Sequence, residues 1–131
     1  MKITNNVIEE MITVINDTNS FRNDVSIKIP AKVRYAIRVN EDKVASLYKS
    51  YQSERAQILR DYVDKGMATI ENEKFHIDPD HVSEINNELT ELALIENEVE
   101  FHTVDKETMD NFLSTVDLSV PEEKILLMFV E

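Results

Sequence analysis

The chain contains no cysteine and only one glycine, Gly66. Without cysteine it has no disulfides, no thiolate zinc site and no cysteine nucleophile. The phosphate-binding loops of Walker and Rossmann proteins need several glycines, so both of these nucleotide-binding motifs are excluded. A G-x-S-x-G nucleophile elbow is excluded for the same reason. These absences remove many familiar catalytic and nucleotide-binding classes.

Long apolar runs are also missing. No run approaches the ~20 residues needed to cross a bilayer, and residues 1–6 have no signal-peptide core. We therefore expect a cytoplasmic protein with no membrane contact. Its 131 residues, 42% of them apolar, suit a single domain over residues 1–131. A chain of this length buries roughly two thirds of its unfolded surface, so it needs no cofactor or metal in order to fold.

Apolar periodicity predicts an α+β fold that is mainly α, in which a long central helix packs with shorter helices and a small antiparallel sheet or hairpin. Five helices are predicted. The first begins at Thr4 or Asn5, the second runs from Pro30 to about Lys65, and the third runs from Asp78-Pro79 to about Glu96. The fourth begins at Asp105 or Thr108, and the fifth follows Ser119. The predicted extended segments are residues 25–29, a hairpin of 68–70 and 74–77, and residues 99–104.

Four residues of the predicted long helix lie seven positions apart: Ile37, Val44, Tyr51 and Ile58. This coiled-coil-like spacing predicts that the helix packs against another helix. Gly66 suits the position just past the helix end. The polar residues 40–42 could interrupt the helix near its start.

Charge is divided unevenly between the two halves of the chain. Residues 1–65 carry 11 basic and 9 acidic side chains, whereas residues 66–131 carry 3 basic and 17 acidic ones, which together give the net charge of −12. The basic residues of the first half concentrate on the long helix. One interpretation is that the two halves pack as an antiparallel helical pair with complementary flanks. That arrangement still leaves a surplus of negative charge on the second half.

Four glutamates are predicted to lie close together on one helical face, opposite the apolar one: Glu84, Glu88, Glu91 and Glu98. They step along the helix axis at roughly 4–10 Å. Acidic stripes of this kind are common on the exposed sides of helices, and they also make these residues candidates for binding a partner. Such a row can imitate a phosphate backbone in a groove made for nucleic acid. Direct binding of nucleic acid is not expected, because a net charge of −12 repels phosphates.

Residues 76–81, His-Ile-Asp-Pro-Asp-His, form the only grouping that resembles a metal site. A calcium loop beginning at Asp78 would need glycine and glutamate where the chain has Ser83 and Leu89. The simpler interpretation is a strand end followed by a helix that Asp78 caps. We therefore expect no metal ligands. We also expect no catalytic residue, because most carboxylates fall on exposed faces rather than in a pocket that raises their pKa.

The predicted last helix ends in six consecutive apolar residues, 125–130. Six successive side chains spread over more than a full helical turn, so one face cannot cover them all. Burial against the rest of the domain is favoured, because a terminal segment normally frays unless it is docked. In the alternative, part of the segment stays exposed for a partner, and Met128 and Phe129 are then candidate partner-binding residues.

Two stretches of the chain carry a resemblance to a known family. The first covers residues 29–37 and continues to 51–55, and the second covers residues 99–104 and 117–131. In this order they resemble a family of small, uncharacterised proteins encoded by phages and prophages of Gram-positive bacteria. In that family an apolar-Pro-x-Lys segment opens a long charged helix, and a capped helix rich in Leu, Met and Phe ends the chain.

The resemblance implies a phage origin and a role in the cytoplasm of an infected bacterium. The resemblance implies no catalytic residue in this chain. We expect a non-enzymatic protein that binds a host or phage protein, either as a virion or assembly accessory or as an inhibitor of a host defence factor. The alternative is an acidic nucleic-acid mimic that blocks a DNA- or RNA-binding host protein through its glutamate-rich helix. A homo-oligomer is compatible with both.

Overall fold

The computed structural model describes all residues, 1–131, as five α-helices and four short strands. In chain order these are β1 (Lys2–Thr4), α1 (Asn5–Ile15), α2 (Ala31–Asp64), β2 (Ala68–Glu71), β3 (Lys74–Ile77), α3 (Val82–Ala93), β4 (Glu96–Glu98), α4 (Lys106–Leu113) and α5 (Val120–Leu127). Short 3-10 turns at Phe21–Asn23 and Pro79–His81 lie before α2 and α3. Strand β1 pairs with β4 and β2 pairs with β3, both antiparallel. The predicted fold, mainly α with a long central helix, is confirmed.

Helix α2 is unbroken over 34 residues, a length of about 50 Å. The four residues spaced seven apart along it are all buried, as the heptad spacing predicted. The polar residues 40–42 do not interrupt the helix, because the side chain of Asn40 turns inward and bonds to the backbone of His102. The helix ends before Gly66, whose φ of +76° is the left-handed conformation expected there.

Helix α2 contributes to two separate cores. Its first half packs with α1, α4, α5 and residues 99–104 around 15 buried residues, among them Val33 and Val44. Its second half packs with the β2–β3 hairpin and α3 around 6 buried residues, among them Tyr62 and Ile85. Helix α3, which carries most of the candidate acidic residues, therefore covers the smaller core.

The hairpin β2–β3 has the predicted position. Its turn residues, Asn72 and Glu73, have φ values of 51° and 64°. Two consecutive positive φ values are typical of the type I′ turn, which matches the twist of the two strands. Asparagine tolerates this conformation well, whereas glutamate adopts it at some cost.

The pairing of β1 with β4 was not predicted, and it shortens α3. The helix ends at Ala93 rather than near Glu96, because the next residues pair with β1. Asn5, buried at the start of α1, forms hydrogen bonds with both the end of α3 and strand β4. Its Nδ2 donates to the carbonyl of Leu92 at 2.8 Å, and its Oδ1 accepts from Asn97 at 3.0 Å.

The strand predicted at residues 25–29 is absent. This segment follows a 3-10 turn as a second turn, a single bend and irregular chain, and Val25 is fully exposed. The carboxylate of Asp24 accepts a hydrogen bond from the N–H of Ser26 at 2.9 Å, which stabilises a local turn in place of an extended chain.

The strand predicted at residues 99–104 is also absent, although three of its apolar side chains are buried. The backbone of His102 is paired with a side chain of α2 rather than with a neighbouring strand. A single parallel bridge joins Val104 to Val130. The alternation of apolar and polar residues over 99–104 therefore predicted the burial of the apolar side chains correctly, but it predicted the secondary structure wrongly.

The N-terminus of α5 has a capping box. The Oγ of Ser119 accepts from the N–H of Glu122, whose carboxylate accepts in turn from the N–H of Ser119. The second carboxylate oxygen of Glu122 accepts from the N–H of Phe21 at 3.0 Å, which ties α5 to the segment after α1. The predicted helix start after Ser119 is confirmed.

The end of the chain is docked. Phe129 is 2% exposed, and its ring centroid lies 5.2 Å from that of Phe101. Burial was the favoured alternative, and it is confirmed for Phe129. Met128 is half-buried and remains accessible, while Leu127 is 50% exposed.

Candidate functional site

Three of the four predicted acidic residues lie on α3: Glu84, Glu88 and Glu91. All three are exposed. They share one side of the helix because they are four and seven positions apart, and we call them the acidic face. Glu98 is also exposed, but it belongs to β4. The prediction that all four share one helical face is therefore wrong for Glu98, because the chain leaves the helix to pair with β1.

The buried side of α3 sets the direction of the acidic face. Ile85 is fully buried and Leu92 is 8% exposed, and both pack in the core shared with α2. The turn before the helix is fixed by Asp78, whose carboxylate accepts from the N–H of Asp80 at 3.0 Å. Because these contacts hold the helix in one rotation, the acidic face points to solvent.

Glu88 lies at the edge of the acidic face, where it meets α2. The hydroxyl of Tyr62 donates a hydrogen bond to its Oε2. The pKa of Tyr62 is raised to about 12, mainly by this bond and to a smaller extent by burial and by the negative charges of Glu88 and Glu84. Tyr62 therefore stays a neutral donor near neutral pH and holds the Glu88 carboxylate in place.

The other carboxylates have weak partners or none. His81 Nδ1 lies 3.4 Å from Glu84 Oε2, and the amino group of Met1 lies 3.1 Å from Glu98 Oε1. Glu91 takes part in no ion pair or side-chain hydrogen bond within the chain. Much of this negative charge is therefore available to a binding partner.

No lysine or arginine neutralises the acidic face. The ion pairs that involve α2 join Lys32 to Asp105 at 3.6 Å, Glu41 to Arg22 at 2.8 Å, and Arg55 to Glu9 at 3.9 Å. Only the first of these links the two halves of the chain. Helices α2 and α3 pack through apolar residues, so complementary charged flanks do not account for their contact.

An apolar part of this surface was not predicted from the sequence. Leu94 and Ile95 directly follow α3 and are 59% and 52% exposed. They fall outside the inward-facing series of Ile85, Leu89 and Leu92, and this departure from the helical period is a signal that could have revealed them. We use the name α3–β4 surface for the acidic face together with Leu94, Ile95 and Glu98.

Residues 76–81 do not form a metal cluster. No group of three or more histidine, aspartate and glutamate side chains is placed to hold a metal ion. Asp78 caps the turn before α3, as predicted. His76 is exposed on β3, and His81 contacts Glu84. Asp78 therefore has a local structural role at the start of this turn.

A cleft of about 790 Å³ lies between residues 24–30 and the end of α4. The hydroxyl of Ser26, which lines it, donates to Asp24 Oδ1 at 2.6 Å, and this bond is the main reason that the pKa of Asp24 is lowered. No histidine lines the cleft. The Ser26–Asp24 pair stabilises a turn, and it lacks the base that activates a serine nucleophile.

No helix of the chain combines the length and the apolar character that a membrane crossing requires. No family model, curated protein or solved structure matches the chain. Function is therefore inferred from the surface itself.

Proposed function

We propose that this protein acts without catalysis, by binding another protein through the α3–β4 surface. The partner presents basic side chains to the carboxylates and apolar side chains to Leu94 and Ile95. The observation that carries the proposal is that the acidic face is exposed and has no lysine or arginine partner within the chain.

The carboxylates of the acidic face repel one another when no partner is bound. Glu84 and Glu88 are separated by one helical turn, and like charges at that spacing destabilise a helix by a few tenths of a kcal/mol. Lysines or arginines of a partner would remove this repulsion and speed association. The exposed Leu94 and Ile95 would add contact area that excludes water around the charged pairs.

The resemblance of residues 29–37 and 117–131 to phage proteins supports action in the cytoplasm of an infected bacterium. A small acidic binding protein can serve there as a virion or assembly accessory. It can equally inhibit a host defence factor by covering a basic surface of that factor. Both roles need a binding surface and no catalytic group.

The proposal is tested by affinity capture with the full chain immobilised and exposed to a lysate of phage-infected Gram-positive cells. The face variant neutralises three carboxylates of the surface: Glu84→Gln, Glu91→Gln and Glu98→Gln. Glu88 is left unchanged because it bonds to Tyr62. The control variant makes the same change in net charge at exposed positions of α2: Asp42→Asn, Glu54→Gln and Asp64→Asn.

We expect one protein to be retained by the original chain and by the control variant, to be released by salt, and to be strongly depleted from the face variant. Salt release follows from screening of exposed charges. Equal retention by both variants, or the absence of any retained protein, would contradict the proposal.

A second candidate function is mimicry of nucleic acid. The acidic face favours it, because its carboxylates form a row that steps along the helix axis by roughly 4–6 Å, somewhat wider than the ~3.4 Å of axis per phosphate of one DNA strand. If the surface is a mimic, duplex DNA or RNA added to the captured complex displaces the partner. A partner that binds nucleic acid and this chain at the same time excludes mimicry and leaves ordinary docking.

A further inference from the structure

An apolar groove of about 260 Å³ lies between α1 and α5. Val7 and Val14 line it from α1, and Ile125 of α5 and Met128, which directly follows α5, line it from the other side; all four are half-buried. Each pair is three or seven residues apart, so each helix presents one apolar stripe to the groove. A groove between two such stripes is suited to receive another helix.

The two walls of the groove carry charges of opposite sign. Glu10 of α1 and Lys124 of α5 both line it, both are exposed, and neither takes part in an ion pair within the chain. In a two-fold symmetric dimer, if residue i of the first copy contacts residue j of the second, then residue j of the first copy also contacts residue i of the second. Such symmetry can place Glu10 of each copy against Lys124 of the other. The groove is thus self-complementary in charge, although the chain as a whole carries −12.

Helix α5 also carries an exposed apolar ridge. Val120, which also lines the border of the groove, is 80% exposed, and Leu127, outside the groove, is 50% exposed. They are seven residues apart, so they share one side of the helix and are separated by about 10 Å along its axis. The ridge has the geometry that fills a groove between helices, and the domain leaves it uncovered.

We propose that α1 and α5 form a two-fold symmetric interface between two copies of this chain. The α5 ridge of each copy occupies the α1–α5 groove of the other, and two Glu10–Lys124 pairs close the rims. The interface shares no residue with the α3–β4 surface, so the inference does not depend on the proposed function.

Sedimentation equilibrium of the full chain tests the interface. The original chain is expected to sediment as a dimer at concentrations of about 100 μM, a range that reveals even a weak association. Val120→Asp places a charge on the ridge and should give a monomer. Ile70→Asp changes a residue of the hairpin that is 58% exposed and should leave the dimer intact. Thermal melts of both variants verify that they fold.

Charge reversal identifies the second copy as the occupant of the groove. Glu10→Lys and Lys124→Glu should each weaken dimerisation by about tenfold, because each change creates two like-charge contacts across the two-fold axis. The two changes combined should restore it. A monomeric original chain, a dimeric Val120→Asp variant, or a double variant no tighter than the single ones would overturn the proposal.

Discussion

The side-chain amide of Asn40 pairs with both backbone polar groups of His102. Its Nδ2 donates to the carbonyl at 2.9 Å, and its Oδ1 accepts from the N–H at 2.7 Å. Asn40 is fully buried in the first third of α2, and its side chain makes the two hydrogen bonds with the backbone of His102 that a neighbouring strand would otherwise make. The pair therefore explains both why α2 continues through residues 40–42 and why residues 99–104 form no strand.

Replacing Asn40 by alanine should lower the free energy of unfolding by about 2 kcal/mol, because two part-buried backbone groups of His102 lose their partners. Gln52→Ala, at an exposed position of the same helix, should change it by less than about 0.5 kcal/mol. Urea denaturation of both variants gives the comparison. Equal stability losses would mean that the Asn40–His102 pair does not hold α2 to residues 99–104.

Replacing Phe129 by alanine should lower the free energy of unfolding by about 3–5 kcal/mol, the usual loss for a buried phenylalanine. Leu127→Ala, two positions away and 50% exposed, should cost less than about 1 kcal/mol. Deleting residues 121–131 should sharply lower Tm or prevent soluble expression. A truncated chain with the original Tm would show that the end of the chain is not part of the fold.

Tyr62 should make stability depend on alkaline pH. An unfolded tyrosine ionises near pH ~10, whereas the hydrogen bond to Glu88 raises the pKa of Tyr62 to about 12 in the folded chain. Neutral Tyr62 therefore stabilises the fold fully below the unfolded pKa, and this contribution is lost as the pH rises through the folded one. Tyr62→Phe should remove that part of the alkaline decline, and Tyr35→Phe, at a site 58% exposed, should not. Superimposable pH profiles for the original chain and Tyr62→Phe would exclude the effect.

The two histidines of residues 76–81 should be dispensable. His76→Ala and His81→Ala should leave the fold and partner binding intact, because the nearby helix start depends on Asp78. Circular dichroism, binding to the captured partner and elemental analysis of the purified chain measure the three properties. Stoichiometric zinc or manganese that is lost in either variant would identify a metal site instead.

Local sequence signals were sufficient to predict elements whose structure depends on residues close together in the chain. The spacing of Ile37, Val44 and Tyr51 predicted the buried side of α2, and Ser119 marked the start of α5. The β1–β4 pairing had no comparable signal, because Glu96–Glu98 is short, polar and adjacent to a helix that could have continued. Its pairing depends on contacts between residues far apart in the chain, such as Asn5 with Asn97, which no periodicity reports.

The candidate surface was predictable only in part, for the same reason. Exposure of the acidic face followed from the helical period of α3, whereas the position of Glu98 depended on the unpredicted strand. Residues 125–130 allowed two alternatives, since their composition fits both burial and an exposed binding segment. The contact of Phe129 with Phe101 buries Phe129. It involves residues 99–104, which were predicted as a strand and instead bond to a side chain of α2.

The central claim is that the α3–β4 surface binds a protein, and the dissociation constant of the captured partner tests it most directly. Titration calorimetry compares the original chain with the face variant and with the control variant of equal net charge. Loss of three exposed charge pairs, at roughly 0.5 kcal/mol each, should weaken binding about tenfold for the face variant. The control variant should bind within about twofold of the original chain, since its substitutions lie on α2. Equal dissociation constants for the two variants would contradict the account.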